Sequence, residues 1–289
     1  MAGSPLFHRL VAKIRPILSE YNNAETHAKT VRKMLNQSFD LKRFLKIGSH
    51  SSNTAIRLYS DVDYMAVLSR NEAKWGGSII NSTTFLEKVR DDLDDRYTQT
   101  QVSGGRHAVV FKFGSGQHAM GVVPAIFSRV DKLRPIYWVP DGNDGWTETS
   151  PELHNKYIID ANEISGSKLA NVIRLLKFWK ICRQGTQSLQ SFYIDMLLAS
   201  SDVCLGVKSY ARCLYDTFQL LADRECSGLR DPLGISRIIR AARTESQLDD
   251  INASVDYSLQ HAKLALQAES WGDSSETIHQ WGIVFNDQI

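Results

Sequence analysis

The chain has 289 residues, 43% of them hydrophobic and 23% charged, enough for one large domain or two modest ones with real cores. Its 34 basic and 32 acidic residues nearly cancel to a formal +2, which argues against a protein held on duplex DNA by bulk electrostatics while leaving room for a local basic pocket. The N-terminal MAGSPLFHRLVAKIRP lacks an uninterrupted apolar stretch, and no window reaches a membrane span. Cys182, Cys204, Cys213 and Cys226 form no CxxC pair, so the chain reads as cytoplasmic with reduced thiols.

In chain order, residues 5–38 carry apolar positions at helical spacing (Leu6, Leu10, Ile14, Ile17). A second run follows Tyr21-Asn22-Asn23, and Pro16 kinks or ends the first helix. FLKIGS (44–49) and VDYMAVL (62–68) are short and apolar, as strands are. TTFLEKVRDDLDDRY (83–97) reads as a helix with Phe85, Val89 and Leu93 on one face. HAVVFKF (107–113) and HAMGVVPAIF (118–127) read as a strand pair joined by Gly114-Ser115-Gly116. Residues 128–165 read as loop, with VPDGNDGW (139–146) as the clearest turn cluster.

Beyond that the pattern is helical. Leu169, Val172, Ile173, Leu176 and Trp179 form an apolar stripe that leaves Arg174 and Lys177 off it. SLQSFYIDMLLAS, KSYARCLYDTFQLLAD and ISRIIRAARTE continue the trend, and a last helix over about 253–270 aligns Val255, Leu259, Ala262 and Leu266. The expected fold class is α+β: a mixed sheet with flanking helices over 1–165, a helical domain over 166–289, and a cleft between them.

Chemistry concentrates in KIGSHSSNTAIRLYSDVDYMAVL (46–68). A glycine at Gly48-Ser49 lets backbone approach a phosphate, and a helix opening there would offer unpaired N–H groups to it. Asp61 and Asp63 stand two apart on a strand, so their side chains share a face. Carboxylates crowded in a cleft repel, and a hard divalent cation such as Mg²⁺ or Mn²⁺ is the usual remedy. His107 and His118 could also meet a metal, but isolated core or surface histidines are the simpler reading.

GS followed by SDVDYMAVL resembles the signature of the polymerase-β-type nucleotidyltransferases. VVPAIF (122–127), YWVPDGNDGW (137–146) with Pro151 and His154 following, VIRLLKFWK (172–180), LQSFYIDMLL (189–198), RDPLG (230–234) and the segment near Trp281 follow in the order seen in the bacterial cGAS/DncV-like nucleotidyltransferases, the CD-NTases. The resemblance spans almost the whole chain. It implies synthesis of a cyclic or linear oligonucleotide messenger from nucleoside triphosphates, in antiphage defence, with a downstream effector. By the same resemblance Gly48 and Ser49 hold the triphosphate and Asp61 and Asp63 bind the metals. Lys177 and Lys180 reach triphosphate oxygens, Ser191 gives a hydroxyl to the phosphates, and Tyr193 lies near a base. From the residues alone, Lys177 reads equally as a solvated helix face and Ser191 as a helix N-cap.

The resemblance also exposes a gap. Two-metal transfer needs a third acidic ligand, and in the family it precedes the VVPA segment, where this chain has Gly121. No Asp or Glu occurs between Asp95 and Asp131, so a shifted register supplies none. Nucleotide binding is therefore expected to survive better than turnover. Two other readings stay open: a non-catalytic nucleotide-binding sensor, and a transferase acting on RNA, for which Arg237, Arg240 and Arg243 would line one face of a helix.

Overall fold

The computed structural model describes residues 3–97, 100–113, 119–131 and 133–289. In chain order these form α1 (Gly3–Ile14), α2 (Leu18–Ser38), β1 (Leu41–Ile47), β2 (Val62–Leu68), β3 (Lys74–Trp75), β4 (Ser78–Ile79), α3 (Ser82–Arg96), β5 (Gln101–Gly104), β6 (Val109–Lys112), β7 (Met120–Asp131), β8 (Arg134–Pro140) and β9 (Trp146–Thr149). Then come α4 (Pro151–Ile164), α5 (Leu169–Cys182), α6 (Ser191–Ala199), α7 (Tyr210–Asp223), β10 (Leu229–Arg230), β11 (Ile238–Ile239), α8 (Glu245–Ser270) and α9 (Ser274–Val284). The α+β class holds. The expected Gly114-Ser115-Gly116 turn and His118 lie outside the described residues.

Two compact units emerge, residues 16–155 and residues 1–15 with 156–289. The boundary between 155 and 156 lies ten residues before the one expected from the sequence, between 165 and 166. The first unit is built on a mixed sheet ordered β1-β2-β7-β6-β5, with β8 pairing β7 and β9 pairing β8. Strand β2 runs antiparallel to β1 and parallel to β7. Period-two alternation sorts β2 onto two faces. Val62, Tyr64, Ala66 and Leu68 join the large core made with Val31 and Leu35 of α2 and Phe85, Val89 and Leu93 of α3. Met65 and Val67 face the other way, into a smaller cluster with Ala125, Tyr137 and Val139. Asp63 follows the second parity, so its side chain belongs to the face opposite α2 and α3. Helix α3 starts where Asn81 Oδ1 accepts from Thr84 N at 2.7 Å.

The stretch 128–165 is not loop. It holds the end of β7, all of β8 and β9, and α4. Pro135 and Pro140 together with the turn at 141–145 disguise the strand between them, whose Ile136, Tyr137 and Val139 are buried. The turn itself is held by Asp141 Oδ1, which accepts from Asn143 N at 2.7 Å and Gly145 N at 3.0 Å.

In the helical unit α5 is central. Every residue from Leu169 to Trp179 except Asn171 is buried. Trp179 packs edge-on against Phe218, and its indole N–H donates to Ser258 Oγ at 2.8 Å. Helix α1 joins this unit through Phe7, whose ring meets Trp281 at 4.9 Å. Pro16 stands between α1 and α2, so it ends the first helix. The expected helix over ISRIIRAARTE does not form. The Asp231 carboxylate captures the amides of Leu233, Ile235 and Ser236, and Arg237 adopts φ +57. Both features favour a turn feeding β11, so Arg237, Arg240 and Arg243 share no helical face.

Candidate active site

The acidic pair is built by the start of β2. Asp61 is exposed immediately before the strand, and Asp63 is half-buried as its second residue. Burial first, and then the charge of Asp61, push the Asp63 carboxyl up to about 7. An isolated carboxylate resists this position, and a cation would relieve both causes.

Gly48 closes on the same carboxylate. It adopts φ +66, a left-handed conformation that costs a side chain, and a Cβ there would stand 3.1 Å from Asp63 Oδ2. The expectation that Gly48-Ser49 opens an α-helix is corrected to a single 3₁₀ turn, Gly48–His50. The turn stops because Ser51 Oγ and the amides of Ser51 and Ser52 all bond to the Gly48 carbonyl, and Asn53 turns at φ 56. Asn155 of α4 donates to Ser51 Oγ at 2.6 Å, and His50 Nε2 donates to the Ser60 carbonyl at 3.3 Å. The loop is thereby tied to the residue preceding Asp61.

Gly121 lies beside Asp63 in the parallel β2–β7 register, with Val110 of β6 on its other side. A Cβ built on Gly121 would meet Asp63 Oδ1 at 2.3 Å, and otherwise only Ala108 Cβ at 4.0 Å. The obstacle is thus the end of one flexible side chain. An aspartate at this position fits once the Asp63 carboxylate turns aside, and it would then stand next to it. No group of three or more His, Cys, Asp and Glu able to hold a metal occurs among the described residues. His107 is engaged elsewhere, its Nδ1 donating to the Pro140 carbonyl at 2.9 Å.

The helical unit gathers a second set of residues. Lys177 is buried at 4% exposure and pairs with Asp195 of α6 at 2.6 Å. Arg174 is fully buried and donates to Asn171 Oδ1 at 2.9 Å, so both residues are buried although the apolar stripe leaves them off it, and Lys177 is not a solvated helix face. Lys180 Nζ stands 3.5 Å from Ser191 Oγ. Burial, then the charge of Lys177, hold the Lys180 ammonium below its usual range, with Asp195 opposing them. Ser191 is the first helical residue of α6 and not its cap, which is Gln190, whose side chain makes no capping bond and donates instead to the Ser188 carbonyl at 3.0 Å. Tyr193 is fully buried, its hydroxyl donating to the Ser227 carbonyl at 3.0 Å, which makes it a packing residue and not an exposed face for a base. Sequence reasoning missed Asp195. Its one signal was an acidic residue inside the apolar run FYIDMLLA, four positions after Ser191.

The chain matches known proteins in sequence and in fold. The model of the Second Messenger Oligonucleotide or Dinucleotide Synthetase domain matches residues 1–162, more than half the chain. The chain belongs to this family. A probable cyclic nucleotide synthase of Bacillus cereus (strain VD146) is 20% identical over 278 residues, covering 86% of this chain and 82% of its own length. The cyclic AMP-AMP-AMP synthase of Escherichia coli (strain MS 115-1) is 25% identical over 198 residues, 65% of this chain and 59% of its own. Among solved structures, E. coli MS115-1 CdnC with ATP superposes at a TM-score of 0.76 with 20% identity, covering 98% of this chain and 97% of that one. Bradyrhizobium diazoefficiens CdnG, a CD-NTase solved with GTP, does so at 0.71 with 10% identity, covering 97% of each. The likeness of fold to these structures therefore extends over residues of both compact units. Among the described residues, no helix is long and apolar enough to cross a membrane.

Proposed function

We propose that this synthetase-family chain binds nucleoside triphosphates with Mg²⁺ or Mn²⁺ and joins them into a cyclic or linear oligonucleotide messenger for antiphage defence, at a turnover limited by Gly121. The observation that carries this reading is the convergence of Gly48, Asp63 and Asp61 at the head of β2, with Gly121 in register beside them. Magnesium is commonly held by one or two carboxylates completed by substrate phosphates, and Asp61 and Asp63 fit that donor set. When bound, the cation would neutralise charge developing on the phosphates.

The chain's own residues divide the remaining work. The glycine at 48 lets the 48–52 backbone approach phosphate oxygens, and Ser49 adds a hydroxyl. Lys180 and Ser191, 3.5 Å apart, are proposed as further contacts to phosphate oxygens. Lys177, already bound to Asp195, fixes α5 against α6. The attacking hydroxyl lacks a carboxylate where residue 121 would place it, so its deprotonation is the weakened step.

The test is incubation with labelled ATP, GTP, CTP and UTP in Mg²⁺ or Mn²⁺, followed by phosphatase treatment and chromatography, with Gly121→Asp alongside. A phosphatase-resistant product from the variant, at least 100-fold above the parent, supports an intact synthase limited at one position. Absence of Mg²⁺-dependent ATP binding in titration calorimetry would falsify the reading. The second reading, a nucleotide-binding sensor, is favoured by Gly121 alone. It predicts ATP binding with no product from either chain.

A further inference from the structure

The helix-covered face of the first unit carries a charged cavity unrelated to the acidic pair. A hollow of about 310 Å³ opens between α2 and β1, lined by Lys29, Arg32, Lys33 and Asn36 on α2 and by Leu41, Lys42, Arg43 and Phe44 on β1. The four helix positions are spaced i, i+3, i+4 and i+7, so they form one stripe down one side. Helix α2 buries Ala28, Val31 and Leu35 against the sheet, which leaves the basic stripe exposed beside the strand.

The balance of charge is uneven. Lys42 pairs with Asp40 at 2.7 Å, and Arg43 with Glu152 at 2.7 Å. Lys29, Arg32 and Lys33 form no ion pair among the described residues. Three uncompensated cations within one turn and a half of helix repel one another, and an anion bridging them would remove that repulsion. The floor is apolar: Leu41 and Phe44 are half-buried, and the Phe44 ring stacks on Tyr64 at 5.0 Å. Phe44 and Tyr64 pack into the core shared with α2, on the face opposite Asp63. Five residue steps of strand, about 17 Å at ~3.3 Å per residue, separate Arg43 from Gly48. The cavity volume falls within the roughly 300–1,000 Å³ usual for small-molecule sites.

We propose that this cavity is a second, non-catalytic site for a small oligophosphate anion, either a nucleoside 5′-polyphosphate or inorganic tripolyphosphate, held by Lys29, Arg32 and Lys33 with Lys42 at the rim. Nucleoside and inorganic forms share the phosphate chain, and Phe44 and Leu41 are the surface on which a base would add affinity. The site uses nothing from Asp61, Asp63 or Gly121, so it stands or falls separately from the proposed reaction.

The experiment is titration calorimetry on the full chain in EDTA, at low and at physiological salt, with ATP and with tripolyphosphate, comparing the parent with R32E/K33E. Both substituted side chains are exposed, and an unchanged melting temperature establishes that the variant is folded. The proposal expects metal-independent binding that weakens with salt and falls at least tenfold in R32E/K33E. Tighter binding of ATP than of tripolyphosphate identifies the nucleotide form, and equal binding the inorganic one. Binding of both anions unchanged in R32E/K33E, or no binding of either, overturns the proposal. Loss in the variant of duplex nucleic acid binding alone, with neither small anion bound by the parent, overturns it in favour of a macromolecular ligand.

Discussion

Two of the places where the described residues bury charge resolve it in opposite ways. In the helical unit, Lys177 and Asp195 are both buried and neutralise each other at 2.6 Å. In the sheet unit, Asp63 is forced beside another acid and answers by holding its proton up to about 7. Opposite charges brought together make a fastener. Like charges brought together make a site that an external cation completes, and this is why the acidic pair and not the ion pair is assigned to chemistry.

Breaking each place should separate the two roles. The largest effect is expected from Asp61→Ala or Asp63→Asn, with product formation in the Gly121→Asp background falling at least 10³-fold while the melting temperature holds or rises. A fall of several degrees in melting temperature would mean the acids are structural. Next, Asp195→Ala leaves Lys177 buried without its partner, costing about 3–5 kcal/mol in urea unfolding. Replacing both by apolar residues of similar volume should recover most of that loss. If the single and double variants are equally unstable, the pair is not a charge fastener.

Gly48→Ala meets two obstacles, the left-handed φ and the nearby Asp63 carboxylate. It should cost about 1–2 kcal/mol of stability and weaken metal-dependent ATP binding more than that loss of folded protein explains. The smallest effect concerns pH. Because the folded carboxyl of Asp63 lies above its unfolded value of 3.8, the stability it favours is complete below about pH 4 and is lost as pH rises through about 7. Metal-free protein should therefore melt lower at pH 7.5 than at pH 5.5. Asp63→Asn should flatten that difference, and a difference unchanged in the variant would assign it to other groups.

Local pattern made the first unit legible where its period was clear. VDYMAVL reads as a strand because it is short and rich in apolar residues, and β2 spans these seven residues. The 83–97 helix emerges as 82–96, starting one residue early because Asn81 caps it and ending with Tyr97 as its C-cap. The strand β8 was hidden by its prolines and the adjoining turn, and the residues around Arg237 by an apolar-basic spacing that imitates a helix until Asp231 claims the amides. Of the site, Gly48, Asp61, Asp63 and the deficit at Gly121 could be read from spacing and resemblance. The partner of Lys177 could not, because α5 and α6 meet only through tertiary packing.

Composition, period and motif order determined by themselves the α+β class and the absence of any acid between Asp95 and Asp131. These are properties of a few consecutive residues and their backbone geometry. Tertiary structure decided that Gly121 sits in register with Asp63, that Gly48 folds back against the same carboxylate, and that Lys177 is buried against Asp195. Each depends on segments distant in the chain reaching one place. Burial and charge change a carboxyl or an ammonium only after the fold has chosen its neighbours.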